Sequence, residues 1–186
     1  MDKPQRKLGT KVSPRSAANI RSEARNFRCE CNYQLNTCVA RLLAALQAIG
    51  WLEFQVVEKD EPNYFGEVLG EEEARAYPDE GYIAIRKDIY DQLEDGCGHA
   101  KFTIAHELGH LVMHQGIRPS FARGNHEIFE DSEWQADEFA SEFLIDSILV
   151  DVEVDTPATV SKRFGVTEHA AEVKLSKLKK SALKAE

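Results

Sequence analysis

His106-Glu107-Leu108-Gly109-His110 constrains this chain more than any other stretch, because it sets two imidazoles and a carboxylate inside an apolar run. Phe102-Thr103-Ile104-Ala105 precedes it and Leu111-Val112-Met113 follows, so the segment reads as a buried helix. Residues four apart share a helix face, which lets His106 and His110 grip one ion together. Glu107 stands one step round the helix, placed to hold and deprotonate a water without being a ligand. This is the H-E-x-x-H arrangement of metal-dependent hydrolysis. Burying such polar groups without a satisfying partner would be costly, and a metal supplies the partner.

A catalytic zinc takes three protein ligands and leaves one position open, so a further ligand is needed. His114 lies eight residues after His106, a displacement of roughly 12 Å on one helix, whereas zinc ligands sit about 2 Å from the ion. His114 therefore reads as a structural histidine at the helix end, favoured there by the helix dipole. The longer metzincin pattern also fails: Met113 stands where its glycine belongs and Gly116 where its third histidine belongs.

A second helix supplies a better candidate. Ser132 with Gln135 three residues on reads as a capping box, and Ala136, Phe139, Ala140, Phe143 and Leu144 recur at helical spacing. Glu133 falls in the first turn, with Asp137 one turn later on the same side. Glu133 is the expected third ligand, and Asp137 the acceptor for the free ring nitrogen of a ligand histidine. Asp137, Glu138, Glu130 and His126 are alternatives for the ligand role. Taken alone, the acids would read as the solvated face of an amphipathic helix.

The run from Phe102 to His110, then His114, then Glu133-x-x-Ala136-Asp137-x-Phe139-Ala140, resembles the ImmA/IrrE family of metallopeptidases. The resemblance covers roughly residues 81–145, and more weakly the tail to about 178. It implies His106 and His110 as ligands, Glu107 as general base and Glu133 as third ligand. It also implies a narrow substrate, a DNA-binding repressor or antitoxin cut at one place. One departure stands out: Leu144-Ile145-Asp146 replaces the Leu-Met-Pro-like segment that often ends the second helix in this family. The expected ion is Zn2+, with Mn2+ an accepted substitute for the same ligands. For the tetrahedral oxyanion, His126, Tyr82 and Arg123 are unranked donor candidates.

The 186 residues include no apolar run of transmembrane length, and the start is polar and basic, unlike a signal peptide. A cytoplasmic protein with one main core is expected. Cys29, Cys31, Cys38 and Cys97 are too few and too irregular for a disulfide framework and read as reduced thiols. The net charge of −9 is uneven: residues 1–28 hold eight Lys/Arg against two acids, and residues 161–186 hold seven against three. A basic arm suits nucleic acid or an acidic partner, yet an acidic body opposes binding along phosphates, and a solvated terminus is an equal reading.

Residues 1–14 lack hydrophobic periodicity and read as unstructured; a helix is expected from Arg15 to Arg28 and another within Leu35–Ile49, stopped by Gly50. Residues 51–57 and 82–86 read as strands and Glu58–Gly81 as an acidic loop. By resemblance to zinc peptidases, the strand at 82–86 would offer its edge to an extended substrate. Lys87–Leu93 reads as a short helix, with a break at 95–98 before the histidine helix.

The tail around Ala158–Val173 resembles a helix-turn-helix, with Gly165 at the turn and Thr167 capping the second helix. Glu168 and Glu172 would face DNA phosphates there, so packing on the core or docking a protein is the favoured role. The expected division is a basic arm and helix at 1–28, a metallopeptidase domain at 29–150 and a helical segment at 151–186. The expected class is α+β: a zincin-like core with a small sheet and two metal-binding helices, followed by a helix-turn-helix-like segment. The rival reading is a non-catalytic regulatory module of the same fold that docks a partner through residues 156–178.

Overall fold

The computed structural model describes residues 8–35, 37–117 and 126–183. Among the described residues, seven α-helices and a three-stranded sheet make a mixed α+β architecture. None of the described helices is long and apolar enough to cross a membrane.

Helix α1 (Ala17–Glu30) starts at Ser16, whose hydroxyl accepts from the Asn19 N–H, and buries Ile20, Ala24 and Phe27 at three- and four-residue steps. Helix α2 (Val39–Ala48) buries Val39, Leu42, Leu43 and Leu46 in the same way. Strands β1 (Glu53–Val57), β2 (Ala74–Tyr77) and β3 (Tyr82–Arg86) pair in the order β1-β3-β2, with β1 parallel and β2 antiparallel to β3. Tyr82, Ile83, Ala84 and Ile85 are all buried, as expected of a central strand covered on both faces.

Two expectations are corrected here. The stretch 58–81 is not wholly loop, since it contains β2 and a 3-10 turn at Pro78–Glu80. Nor can β3 offer an edge, because both its sides are already paired; the edge strands are β1 and β2, and β2 is the one packed against the histidine helix.

Helix α3 (Lys87–Glu94) leads into α4 (Gly98–Met113), which carries both histidines of the motif, and α5 (Ser132–Leu144) packs across it. Their close approach depends on Gly109, where a Cβ would stand only 3.0 Å from the Phe139 ring. The N-cap of α5 is Asp131, accepting from the Trp134 N–H, so the helix begins one residue earlier than a Ser132 cap implies.

Helices α6 (Pro157–Phe164) and α7 (Glu168–Ala182) follow, joined through Gly165 in the left-handed region, with Thr167 capping α7. Val160, Phe164, Val166, Ala171 and Leu175 join the main core. The turn presses on the start of α4: a Cβ at Gly98 would lie 2.7 Å from the Val166 carbonyl carbon. On α5, buried Glu142 meets Lys174 of α7 at 2.5 Å and Arg25 of α1 at 2.7 Å, and Glu138 pairs with Lys177. Charged pairs thus hold α5 from the side that faces α1 and α7.

Residues 8–15 also depart from expectation. Their main chain runs beside the start of α5: Gly9 N–H donates to Asp131 Oδ2 at 2.6 Å, Thr10 exchanges bonds with Ser132, and Val12 N–H reaches the Glu130 carbonyl at 2.8 Å. These pairings bridge more than a hundred residues of sequence, which no local pattern reveals. Residues 1–7 lie outside the described part of the chain.

Candidate metal centre

The crossing of α4 and α5 aims three side chains at one point. His106 Nε2 lies 3.2 Å from Glu133 Oε2, and His110 Nε2 lies 3.0 Å from His106 Nε2 and 3.5 Å from Glu133 Oε1. Two nitrogens and an oxygen about 2.0–2.1 Å from a common tetrahedral centre would be separated by roughly 3.3 Å. The spacing and the borderline-soft donor set therefore fit a zinc-sized ion. Among the described residues, these three form a group able to hold a metal.

The electrostatics favour a cation at the same point. Burial opposes charge on His106, but its bonds to Asp137 Oδ1 (3.0 Å) and Glu133 outweigh that and raise its pKa to about 10. The hydrogen bond from His106, with His110 close beside it, holds the Glu133 carboxyl well below the usual range. In the absence of an ion, a proton carries the positive charge that the two carboxylates attract.

Glu107 is buried on α4, and its Oε2 accepts from the Ala76 N–H of β2 at 2.7 Å. The carboxyl thus bridges the histidine helix and the sheet edge. Just before β2, Glu73 bonds His99 at 2.8 Å and Thr103 at 2.7 Å, tying that strand to α4 a second time. Sequence reasoning missed β2 and hence Ala76; a main-chain donor carries no side-chain signal.

His114 is the C-cap of α4 and is not near enough to join the other two histidines through a common ion; instead its Nδ1 lies 2.9 Å from His110 Nδ1, and its Nε2 lies 3.2 Å from Gln135 Oε1. Burial and the adjacent His110 push its pKa down to about 4, so the expected help from the helix dipole does not make it a cation. Gln135, read from sequence as half of a cap, instead donates to the carbonyls of Ser13 (2.9 Å) and Phe129 (2.8 Å).

The remaining alternatives point elsewhere. Glu138 faces Lys177, Glu130 pairs with Lys11 at 3.2 Å, and His126 Nε2 meets Asp131 Oδ2 at 3.1 Å. Tyr82 Oη donates to Gln55 Oε1 at 2.7 Å, away from the metal group, and Arg123 lies outside the described residues. All four cysteines are free thiols.

The three side chains line a cleft of about 1150 Å³. One wall is β2 and the turn after it; the other is the start of α5 with residues 8–12 laid against it. Gly9 is required by that contact, since a Cβ would overlap the Glu133 side chain.

Residues 94–176 match the sequence profile of the M78 peptidases, described as the IrrE N-terminal-like domain. No curated protein matches the chain.

Proposed function

We propose, because residues 94–176 match the profile of the M78 peptidases, that this chain is a zinc-dependent endopeptidase of the gluzincin type, built on a zincin-like core. The observation that carries the reading is the tetrahedral spacing of His106 Nε2, His110 Nε2 and Glu133, all within 4.8 Å of one another. These three would hold Zn2+, or Mn2+ in its place, while Asp137 orients His106 through Nδ1. Once bound, the ion supplies Lewis acidity, acidifying water and polarising a carbonyl oxygen.

The chain's own groups do the rest. Glu107, fixed at one oxygen by the Ala76 N–H, uses its carboxylate to take a proton from the attacking water and pass it to the leaving amine. Edge strand β2, which lines the cleft, aligns an extended substrate, the role that the resemblance to zinc peptidases implied for the strand at 82–86.

The ImmA/IrrE resemblance supports a DNA-binding repressor or antitoxin as the substrate, cleaved in the cytoplasm, where free thiols persist. On this reading residues 29–150 are the catalytic body. Residues 1–28 and 151–186 are its flanks, the latter acting as a brace for α5 and not as a reader of DNA. The buried packing of Ala171, Lys174 and Leu175 against the body supports that role.

A mass-spectrometric assay on a proteome-derived peptide library tests the proposal. Zinc-loaded protein should cut the library, a chelator should stop it, and Glu107→Gln should lower the rate by about 10²–10⁴-fold while retaining zinc. Glu133→Ala should lose the metal. An uncut library together with no stoichiometric zinc in the wild type would defeat the reading, whereas full biological function in Glu107→Gln would favour the non-catalytic docking module.

A further inference from the structure

Each ligand histidine has two ring nitrogens, and only one of them faces the metal point. For His106 the other nitrogen meets a carboxylate, a common arrangement. For His110 it meets a third histidine, and the bonding beyond that histidine decides where its proton must sit.

The amide of Gln135 is oriented unambiguously. Its nitrogen donates to two main-chain carbonyls, those of Ser13 at 2.9 Å and Phe129 at 2.8 Å, so its oxygen is the atom that faces His114. His114 Nε2, 3.2 Å away, must then carry a hydrogen. Among the described residues the buried ring of His114 bonds to Gln135 and His110 and to no carboxylate, so with its hydrogen committed to Gln135 its Nδ1 faces His110 as an acceptor. His110 Nδ1, at 2.9 Å, must therefore donate, which leaves Nε2 with a lone pair aimed at His106 and Glu133. A neutral imidazole in water prefers the opposite arrangement, with its proton on Nε2.

We propose that Gln135 and His114 are positioning residues that hold His110 in the Nδ1–H tautomer, presenting Nε2 ready to bind the metal. The inference rests on the metal-site reading above. The relay is anchored partly on Ser13, outside the stretch that matches the family, so the N-terminal segment takes part in the centre. Tautomer selection through the non-ligating nitrogen is the general way that proteins tune imidazole ligands.

Two measurements on the full-length chain test this. In metal-free protein, long-range 1H–15N correlation spectra report which nitrogen of His110 bears the proton. Competition with a chromophoric chelator reports Zn2+ affinity. His114→Leu removes the acceptor, and Gln135→Met releases the ring of His114; each should weaken zinc binding by about 10–100-fold and move the His110 proton to Nε2. His114→Asn sets an acceptor oxygen where Nδ1 stood and should recover most of the affinity and the wild-type tautomer.

A merely space-filling His114 would give equal losses for Leu and Asn, and that result overturns the proposal. So does unchanged affinity in both His114→Leu and Gln135→Met, or a wild-type His110 protonated on Nε2. If the leucine variant fails to fold, the asparagine and methionine variants carry the same contrast. A wild type that binds no zinc defeats the peptidase reading instead, while the tautomer of its metal-free form still decides for or against the relay.

Discussion

If His106 is a ligand as proposed, a proton and the metal ion compete for the same nitrogen of its ring. In the metal-free site its bonds to Asp137 and Glu133 raise the pKa to about 10, so near neutral pH that nitrogen holds a proton. Metal binding must expel it. Glu133, held far below the usual carboxylate range, is already ionised and releases nothing. The apparent Zn2+ affinity should therefore rise about tenfold per pH unit between about pH 6 and 8, and binding should release close to one proton from this histidine into a weakly buffered solution. Chelator competition at several pH values measures the slope. An affinity that is flat across the range would mean that His106 is neutral before the ion arrives.

At the scale of elements, the centre depends on how closely α4 and α5 cross. Gly109 has the Phe139 ring against it, with a Cβ meeting Cδ1 at 3.0 Å and Cβ at 3.2 Å. Gly109→Val must push Phe139 aside or part the helices, and overpacking of this kind costs about 1–3 kcal/mol. Parting the helices would carry Glu133 away from the two imidazoles, so zinc affinity should drop along with the urea midpoint. A valine variant that keeps both would show that the crossing tolerates spreading. These two helices were legible in the sequence because each carries a strong apolar period with polar residues at fixed offsets, which by itself sets Glu133 and Asp137 on one side. Other elements lacked such a signal. β2 is a half-buried Ala-Arg-Ala-Tyr beside an acidic turn, and it becomes a strand through pairing with β3 and contact with Glu107. The pairing of Gly9 and Thr10 with Asp131 and Ser132 spans 122 residues and leaves no local trace. Strand order has the same character: the run 82–86 announces a buried strand, but nothing in it says that a later-recognised neighbour occupies its second edge.

Across the whole molecule, the site ties stability to pH in opposite directions. The folded-state pKa of His114 lies at about 4, below its unfolded value, so its contribution is lost as pH falls from about 6.5 toward 4. Glu133, also lowered, adds to the same acid-side loss as the pH falls below its unfolded value. His106 acts the other way. Its pKa is raised to about 10, so its stabilisation is complete below about pH 6.5 and disappears as pH climbs through 10. Through these groups the metal-free fold is most stable near about pH 6.5. On the proposed reading zinc changes the alkaline side, because the ion would replace the proton and bind the folded chain alone. At a free concentration a thousand times Kd it adds about 4 kcal/mol, on the order of 10 °C in Tm for a chain of this length. At one fixed free zinc concentration, the rise in Tm should be larger at pH 8 than at pH 6, since proton competition is weaker there. Differential scanning calorimetry with and without zinc makes the comparison, and Glu133→Ala should remove the metal-dependent rise at both pH values. Equal rises at pH 6 and pH 8 in the wild type would mean that the bound ion displaces no proton from His106, and the assignment of that histidine as a ligand would fall with it.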